Sequence, residues 1–242
     1  MVQVSIVIPI KNEAENIGGL IDQIQSSCKG VAEFEVIVVD DGSTDGSAAV
    51  VKACQKDAAN LRLLKHDRSG GQTAAVHSGV LAAHGAIIAT LDGDGQNPPA
   101  ELPNLLAPLI APEAPSRLGL VAGQRVKRQD TLSKRLASKL ANGLRGRLLK
   151  DGTRDTGCGL KAFRRDSFLE LPYFNHMHRF LPALFRRAGW DIAHVDVSHA
   201  ARGAGSSNYS NFQRGLVGAV DLVGVLWLLR RRKVAKATEV NE

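Results

Sequence analysis

Three short apolar runs, at residues 3–8, 34–39 and 86–91, are rich in Val and Ile and break off abruptly into polar residues. Runs of that length and composition, bounded by polar stops, read as strands buried on both faces of a parallel sheet. Between them, helical patterns cover about 13–27, 44–57 and 71–84, with Asn12 and Ser43 or Thr44 available as N-caps and Gly30 as a stop. The β-α-β-α-α-β order predicts an α/β fold: a Rossmann-like open, mostly parallel sheet with helices on both faces and its ligand crevice outside the carboxyl ends of the strands. Past Pro98 and Pro99 the pattern predicts a helix near 100–110, a strand at 118–123 and a basic helix at about 130–149. Strands at 159–164 and 191–198 flank a helix at 176–188, and Gly203 to Ser207 form a loop.

Charge divides the chain. The 242 residues carry a net +7, with acids frequent in the first hundred and Arg and Lys gathered at 117–165, 179–187 and 230–236. Such a surface attracts anions: phosphorylated substrates, anionic lipid or nucleic acid. Few aromatics interleave with the basic residues, which argues against nucleic acid. Cys28, Cys54 and Cys158 form no CxxC pair, and the N-terminus has no basic region or cleavage site, so a reduced, cytoplasmic setting is expected. Residues 215–229 are apolar apart from Asp221 and end in Arg230-Arg231-Arg232-Lys233. That run is shorter than the ~20 residues of a spanning helix, and its cationic flank predicts a helix lying on the cytoplasmic face of a membrane. Domains follow: a catalytic unit at 1–210 and a membrane-associating helix with a basic tail at 211–242.

The candidate chemistry sits where the strands stop. Asp92 and Asp94 flank Gly93 just after the third strand, Gly95 permits a turn, and Gln96 adds an amide oxygen. Two converging carboxylates repel unless a cation lies between them, and hard oxygen donors suit Mg2+ or Mn2+. An EF-hand is excluded because Asn97 occupies the turn-glycine position and Pro103 that of the bidentate Glu. Asp40-Asp41 ends a neighbouring strand and Glu13 follows the first, as a ribonucleotide site with a metal-bound diphosphate would require. No GxGxxG follows the first strand and no Walker Lys is present, which disfavours dinucleotide redox and P-loop chemistry. His66, His77 and His84 lack convergent spacing with these acids and read as packed or surface residues.

These motifs, with Val39 to Asp45, Asp155-Thr156-Gly157-Cys158-Gly159 and His199 to Ser207, resemble the inverting family 2 glycosyltransferases of the GT-A fold. Within that family they are most similar to the polyprenol-phosphate, dolichol-phosphate mannose synthase-like branch, over about residues 3–210. The resemblance implies that Pro9, Glu13, Val39 and Asp41 hold the nucleoside, and that Asp92, Gly93 and Asp94 surround the sugar diphosphate. It further implies a metal taken by Asp94 and Gln96 with Asp92, and phosphates met by Arg125 and Arg202. Lys134, Arg135 and Ser138, with Asn142 in register, would cradle the acceptor phosphate. Lys11 stands where the family has an aromatic residue and Asn208 where it has Lys, so both positions bear on donor binding.

The activity so implied is transfer of a sugar from a nucleotide-sugar donor, GDP-mannose first and UDP-sugars next, to dolichyl or undecaprenyl phosphate for cell-envelope glycoconjugates. A phosphate monoester with a second pKa of about 6 is largely dianionic at neutral pH and needs no general base. Asp155 then either positions cations or serves as the base of a second reading, transfer to a sugar hydroxyl. A third reading is a nucleotide-binding membrane module without turnover. A membrane protein docking on the C-terminal helix stays open.

Overall fold

The computed structural model describes residues 2–126, 145–198, 200, 211–233, 235 and 238–239. Its elements run β1 (Val4–Ile10), α1 (Ala14–Cys28), β2 (Phe34–Asp40), α2 (Ser47–Cys54), β3 (Leu61–Lys65), α3 (Gln72–Ala82), β4 (Ile87–Thr90) and α4 (Leu102–Ile110). They continue with β5 (Leu118–Arg125), β6 (Lys161–Arg164), α5 (Arg165–Leu169), α6 (Leu181–Ala188), β7 (Asp191–Val197) and α7 (Asn211–Arg230).

The strands form one seven-stranded sheet in the order β3-β2-β1-β4-β6-β5-β7. Strands β1 to β4 are mutually parallel, β5 pairs parallel with β7, and β6 runs antiparallel to both of its neighbours. That reversal matters for the site: it sets the loop preceding β6 beside the carboxyl ends of β4 and β5.

Helices cover both faces. On one, Ile17, Leu20, Ile21 and Ile24 of α1 recur at helical spacing and bury against Val4, Ile6 and Ile8 with Leu102, Leu105 and Leu106 of α4. Each such side chain contributes about 1.5–3 kcal/mol on leaving water. On the other, Val7, Ile37 and Val39 meet Ala75, Val76 and Val80 of α3, and Phe163 meets Phe168 and Phe185. Gly79 lets α3 lie close on β1, since a Cβ there would stand 2.4 Å from a Val7 methyl.

The observed elements correct several expectations. β3 was not foreseen: its Leu-Arg-Leu-Leu-Lys sequence lacks β-branched residues, and as an edge strand it buries only Leu61 fully. The helix expected at 176–188 divides into a turn at Met177–Arg179 and α6, because His176 takes a left-handed conformation (φ 65°) and Pro182 sits in the first turn of α6. Asn12 and Ser43 are not caps. The Asn12 carboxamide accepts the Thr44 amide at 2.8 Å and the Ser43 hydroxyl accepts the Asn12 amide at 3.0 Å, stitching the β1 and β2 exits together. Of the basic helix expected at 130–149, only 145–149 falls among the described residues, where it is helical, and the 203–207 loop falls outside them.

α7 docks by one face: Leu222, Val225, Leu226 and Leu229 join the second core. Val217, Val220, Val223 and Trp227 face outward, Val220 being 68% and Trp227 58% exposed. Among the described residues no helix is long and apolar enough to cross a membrane.

Candidate active site

The exits of β1, β2 and β4 meet at one edge of the sheet, as the topology requires. At the β2 exit, Asp40 is fully buried; Oδ1 accepts the Ser43 amide at 2.8 Å, while Oδ2 has no hydrogen-bond partner. Asp41 is the opposite case. Its Oδ1 takes His66 Nδ1 at 2.7 Å and the Gly70 amide at 2.8 Å, and its Oδ2 takes the Ser69 hydroxyl at 2.6 Å and the Gly71 amide at 2.8 Å. Burial opposes the charge, yet the Ser69, His66, Gly70 and Gly71 donors outweigh it and hold this carboxyl below its usual range. Asp41 thus organises the loop leading into α3. His66, whose Nε2 lies 2.9 Å from the Ser78 hydroxyl, orients it.

After β4 the chain turns through Asp92, Gly93, Asp94 and Gly95 (φ 73°). Asp92 Oδ1 accepts Gln72 Nε2 at 2.7 Å and Oδ2 accepts Asn97 Nδ2 at 3.2 Å, while Asp94 Oδ1 accepts the Gln96 amide at 3.1 Å. Burial and the charge of Asp94 push the Asp92 carboxyl up, against the pull of Lys161, Asn97 and Arg125. The Asp94 carboxylate thus adds to the cost of ionising Asp92. A hard divalent cation with Asp92, Asp94 and the Gln96 amide as donors fits that chemistry, although no cluster of three His, Cys, Asp or Glu gathers among the described residues. Gly159, from the loop before β6, leaves room for Asp92: a Cβ there would lie 2.4 Å from Oδ2.

Arg125 closes the far wall. Its Nε donates to Asp155 Oδ2 at 2.6 Å and its Nη2 to Oδ1 at 3.0 Å, a bidentate pair with side chains 14% and 10% exposed. The amides of Arg154 and Asp155 both donate to Gln124 Oε1, fixing the loop that carries the acid. Lys161 is 5% exposed and gives its Nζ hydrogen to the Cys158 carbonyl; its charge acts on both Asp92 and Asp155. A cavity of about 450 Å³ is lined by Pro9, Asp92, Arg125, Lys161, His178 and Arg179, among others. His178 Nδ1 lies 2.7 Å from the Thr73 hydroxyl. Burial first, then the charges of Lys161, Arg179 and His176, push its imidazole down to about 3, so it is neutral.

Of the residues expected from sequence, Pro9, Asp92 and Arg125 share this cavity, with Gly93 behind it against Ile10 and Asp94 and Gln96 on the adjoining turn. Glu13 takes the Asn16 amide hydrogen at 2.7 Å, Lys11 is exposed, and the Val39 side chain is buried in the core against α3. Lys134, Arg135, Ser138, Asn142, His199, Arg202 and Asn208 lie outside the described residues. The Ala200 amide, two positions before Arg202 in sequence, donates to the Gln96 carbonyl at 3.1 Å. Gln72, Lys161, His178 and Arg179 were missed. Nothing in a local pattern separates a lysine at the start of a strand, or a His-Arg pair in an apparent helix, from solvated residues.

Residues 5–171 match the family model described as Glycosyl transferase family 2. A dodecaprenyl-phosphate galacturonate synthase of Rhizobium johnstonii is 34% identical over 233 residues, 94% of this chain and 68% of that one. An undecaprenyl-phosphate 4-deoxy-4-formamido-L-arabinose transferase of Photorhabdus laumondii is 34% identical over 210 residues, 86% of this chain and 63% of that one. The chain therefore spans about two thirds of the length of these relatives. In fold it is similar to the Mycobacterium tuberculosis glucosyl-3-phosphoglycerate synthase in complex with Mn2+, UDP-glucose and glycerol 3-phosphate (TM-score 0.69, 20% identity, 94% of this chain, 79% of that chain). It is likewise similar to a Pyrobaculum calidifontis mannosyltransferase in complex with GDP-Man and Mn2+ (TM-score 0.69, 21% identity, 97% and 66%).

Proposed function

The chain belongs to glycosyl transferase family 2, and from that premise we propose that it transfers a sugar from a nucleotide-sugar to a polyprenyl phosphate at a membrane surface. The observation that carries the proposal is Asp92 facing a cavity walled by Arg125, Lys161 and Arg179, with Asp94 on the adjoining turn. An acidic pair with a cation suits a departing nucleoside diphosphate, and a cationic wall suits an acceptor that is itself an anion. The relatives named for dodecaprenyl and undecaprenyl phosphate support this acceptor class.

Mg2+ or Mn2+, held by Asp92, Asp94 and Gln96, would supply Lewis-acid stabilisation of the leaving diphosphate. The chain's own residues do the rest. Gln72 and Asn97 aim the Asp92 carboxylate, and Gly159 gives it space. Arg125, aligned by Asp155, presents its remaining donors toward the phosphates, and Arg202 assists in this reading. Lys134, Arg135 and Ser138 seat the lipid phosphate, whose dianion attacks the anomeric carbon directly and inverts it. Asp155 is a positioning residue here, since its two oxygens are engaged by Arg125. Transfer to a hydroxyl acceptor would instead require that carboxylate as base.

We assign the nucleotide to Pro9, Lys11, Glu13, Val39, Asp41 and Asn208, Asp41 also holding the Ser69 to Gly71 loop. Donors to compare are GDP-mannose and UDP-linked neutral, amino, formamido and acidic sugars, because the relatives are named for a galacturonate and a 4-deoxy-4-formamido-L-arabinose. For α7 we propose peripheral attachment on the cytoplasmic face. Val217, Val220 and Trp227 form an apolar stripe beside Arg230 to Lys233, and the Arg231 guanidinium lies 5.7 Å from the Trp227 ring centre. The boundary at 210 divides sequence segments, while α7 itself packs on the catalytic core.

The test is nucleotide release from that donor panel with Mn2+ or Mg2+, with and without polyprenyl phosphate on anionic vesicles, beside Asp94→Asn. Release that depends on lipid phosphate and disappears in the variant is expected. Nucleotide binding without turnover on any donor would leave the non-catalytic module standing.

A further inference from the structure

α7 carries one acid, Asp221, in an otherwise apolar run, and it is spent on a contact across the fold. The Nδ1–H of His176 donates to Asp221 Oδ2 at 2.9 Å, with side chains only 29% and 18% exposed. His176 is a non-glycine residue in the left-handed region (φ 65°, ψ 7°), a conformation that disfavours residues with a Cβ. It immediately precedes the turn Met177–Arg179, whose second and third residues line the cavity. Met177 is buried, and His178 reaches across to Thr73 at the start of α3. The wall that carries His178 and Arg179 thus hangs from a strained residue, and that residue is held by the surface helix.

We propose that Asp221 is a positioning residue for the site: through His176 it sets the turn that presents His178 and Arg179 to the cavity, and so ties that wall to α7. The consequence for turnover rests on the transferase reading above, whereas the geometric link does not. A helix that meets a membrane on its outer stripe and holds the cavity wall by its single acid couples surface seating to the shape of the site. Leu222, Val225 and Leu226 supply the packing that keeps Asp221 in register with His176.

Glycine adopts the left-handed region freely, which gives a direct test. Asp221→Ala, His176→Gly and the double variant are compared in the full chain for kcat on vesicle-borne polyprenyl phosphate and for nucleotide affinity. In parallel, the His178 imidazole is followed by NMR on histidine-labelled protein. Asp221→Ala should lower kcat about tenfold, the scale of losing the hold on a left-handed residue, leave nucleotide affinity within about twofold, and move the His178 resonance. His176→Gly should relieve that loss in the double variant, and Asp221→Asn, which keeps an acceptor oxygen, should retain most of the activity. An unmoved His178 signal with wild-type kcat in Asp221→Ala, or a double variant as impaired as Asp221→Ala, would overturn the proposal. If the wild-type protein turns over no donor, the transferase reading falls, and the His178 resonance alone decides this inference.

Discussion

The guanidinium of Arg125 grips the carboxylate of Asp155 with two parallel bonds of 2.6 and 3.0 Å, joining the end of β5 to the loop before β6. Both side chains are largely buried. Removing one partner strands the other, a loss of about 3–5 kcal/mol for a buried pair. Asp155→Asn should therefore lower the urea midpoint and cut kcat while leaving the shape of the pH–rate profile unchanged. Disappearance of an acidic limb from that profile would instead identify Asp155 as a base.

Gly159→Ala should separate folding from metal-dependent turnover. The new methyl meets the Asp92 carboxylate at 2.4 Å, displacing the group that Gln72 and Asn97 aim. A roughly hundredfold fall in kcat with weaker Mn2+ affinity is expected, the scale of losing a metal-supporting contact, with thermal stability changing little. Mn2+ titration by electron paramagnetic resonance and steady-state kinetics check it.

The neutral imidazole of His178 makes stability depend on acidity. Its folded pKa, about 3, lies below the unfolded value near 6.5, so between those limits the unfolded chain binds the proton and the folded chain does not. The contribution is complete above about pH 6.5 and declines as pH falls toward 3, by at most about 1.4 kcal/mol per pH unit. Urea unfolding of wild type and His178→Gln across this window should give curves whose separation shrinks with falling pH.

The outer face of α7 should govern attachment and not nucleotide binding. Arg230 and Arg231 changed to Ala should weaken binding to anionic vesicles by about thirtyfold, a scale of roughly 1 kcal/mol per basic residue near the surface, and Trp227→Ala should weaken it by removing apolar contact with the interface. The charge component should fade with added salt. Vesicle sedimentation and nucleotide titration separate the two effects.

Much of this arrangement was legible because parallel strands put chemistry at their carboxyl ends. Once residues 3–8, 34–39 and 86–91 read as strands, the positions of Asp41 and Asp92 followed. What escaped depends on distant partners. Lys161 opens a strand that runs against its neighbours, and only tertiary packing shows that it faces Asp92. His178 and Arg179 follow a left-handed residue whose conformation is held by Asp221, forty-five positions away. β3 was hidden because its leucines satisfy helix and strand patterns alike.

The reversal of β6 has a consequence for how such a chain can vary. A parallel strand lends the site what comes after it, while β6 lends what comes before it, so the aspartate turn at 92–96 and the Asp155 to Gly159 loop are supplied by separate stretches that meet where Gly159 makes room for Asp92. A chimera that keeps residues 1–97 and takes the remainder from a relative should inherit its preference for the nucleotide base from the first parent and its acceptor preference from the second.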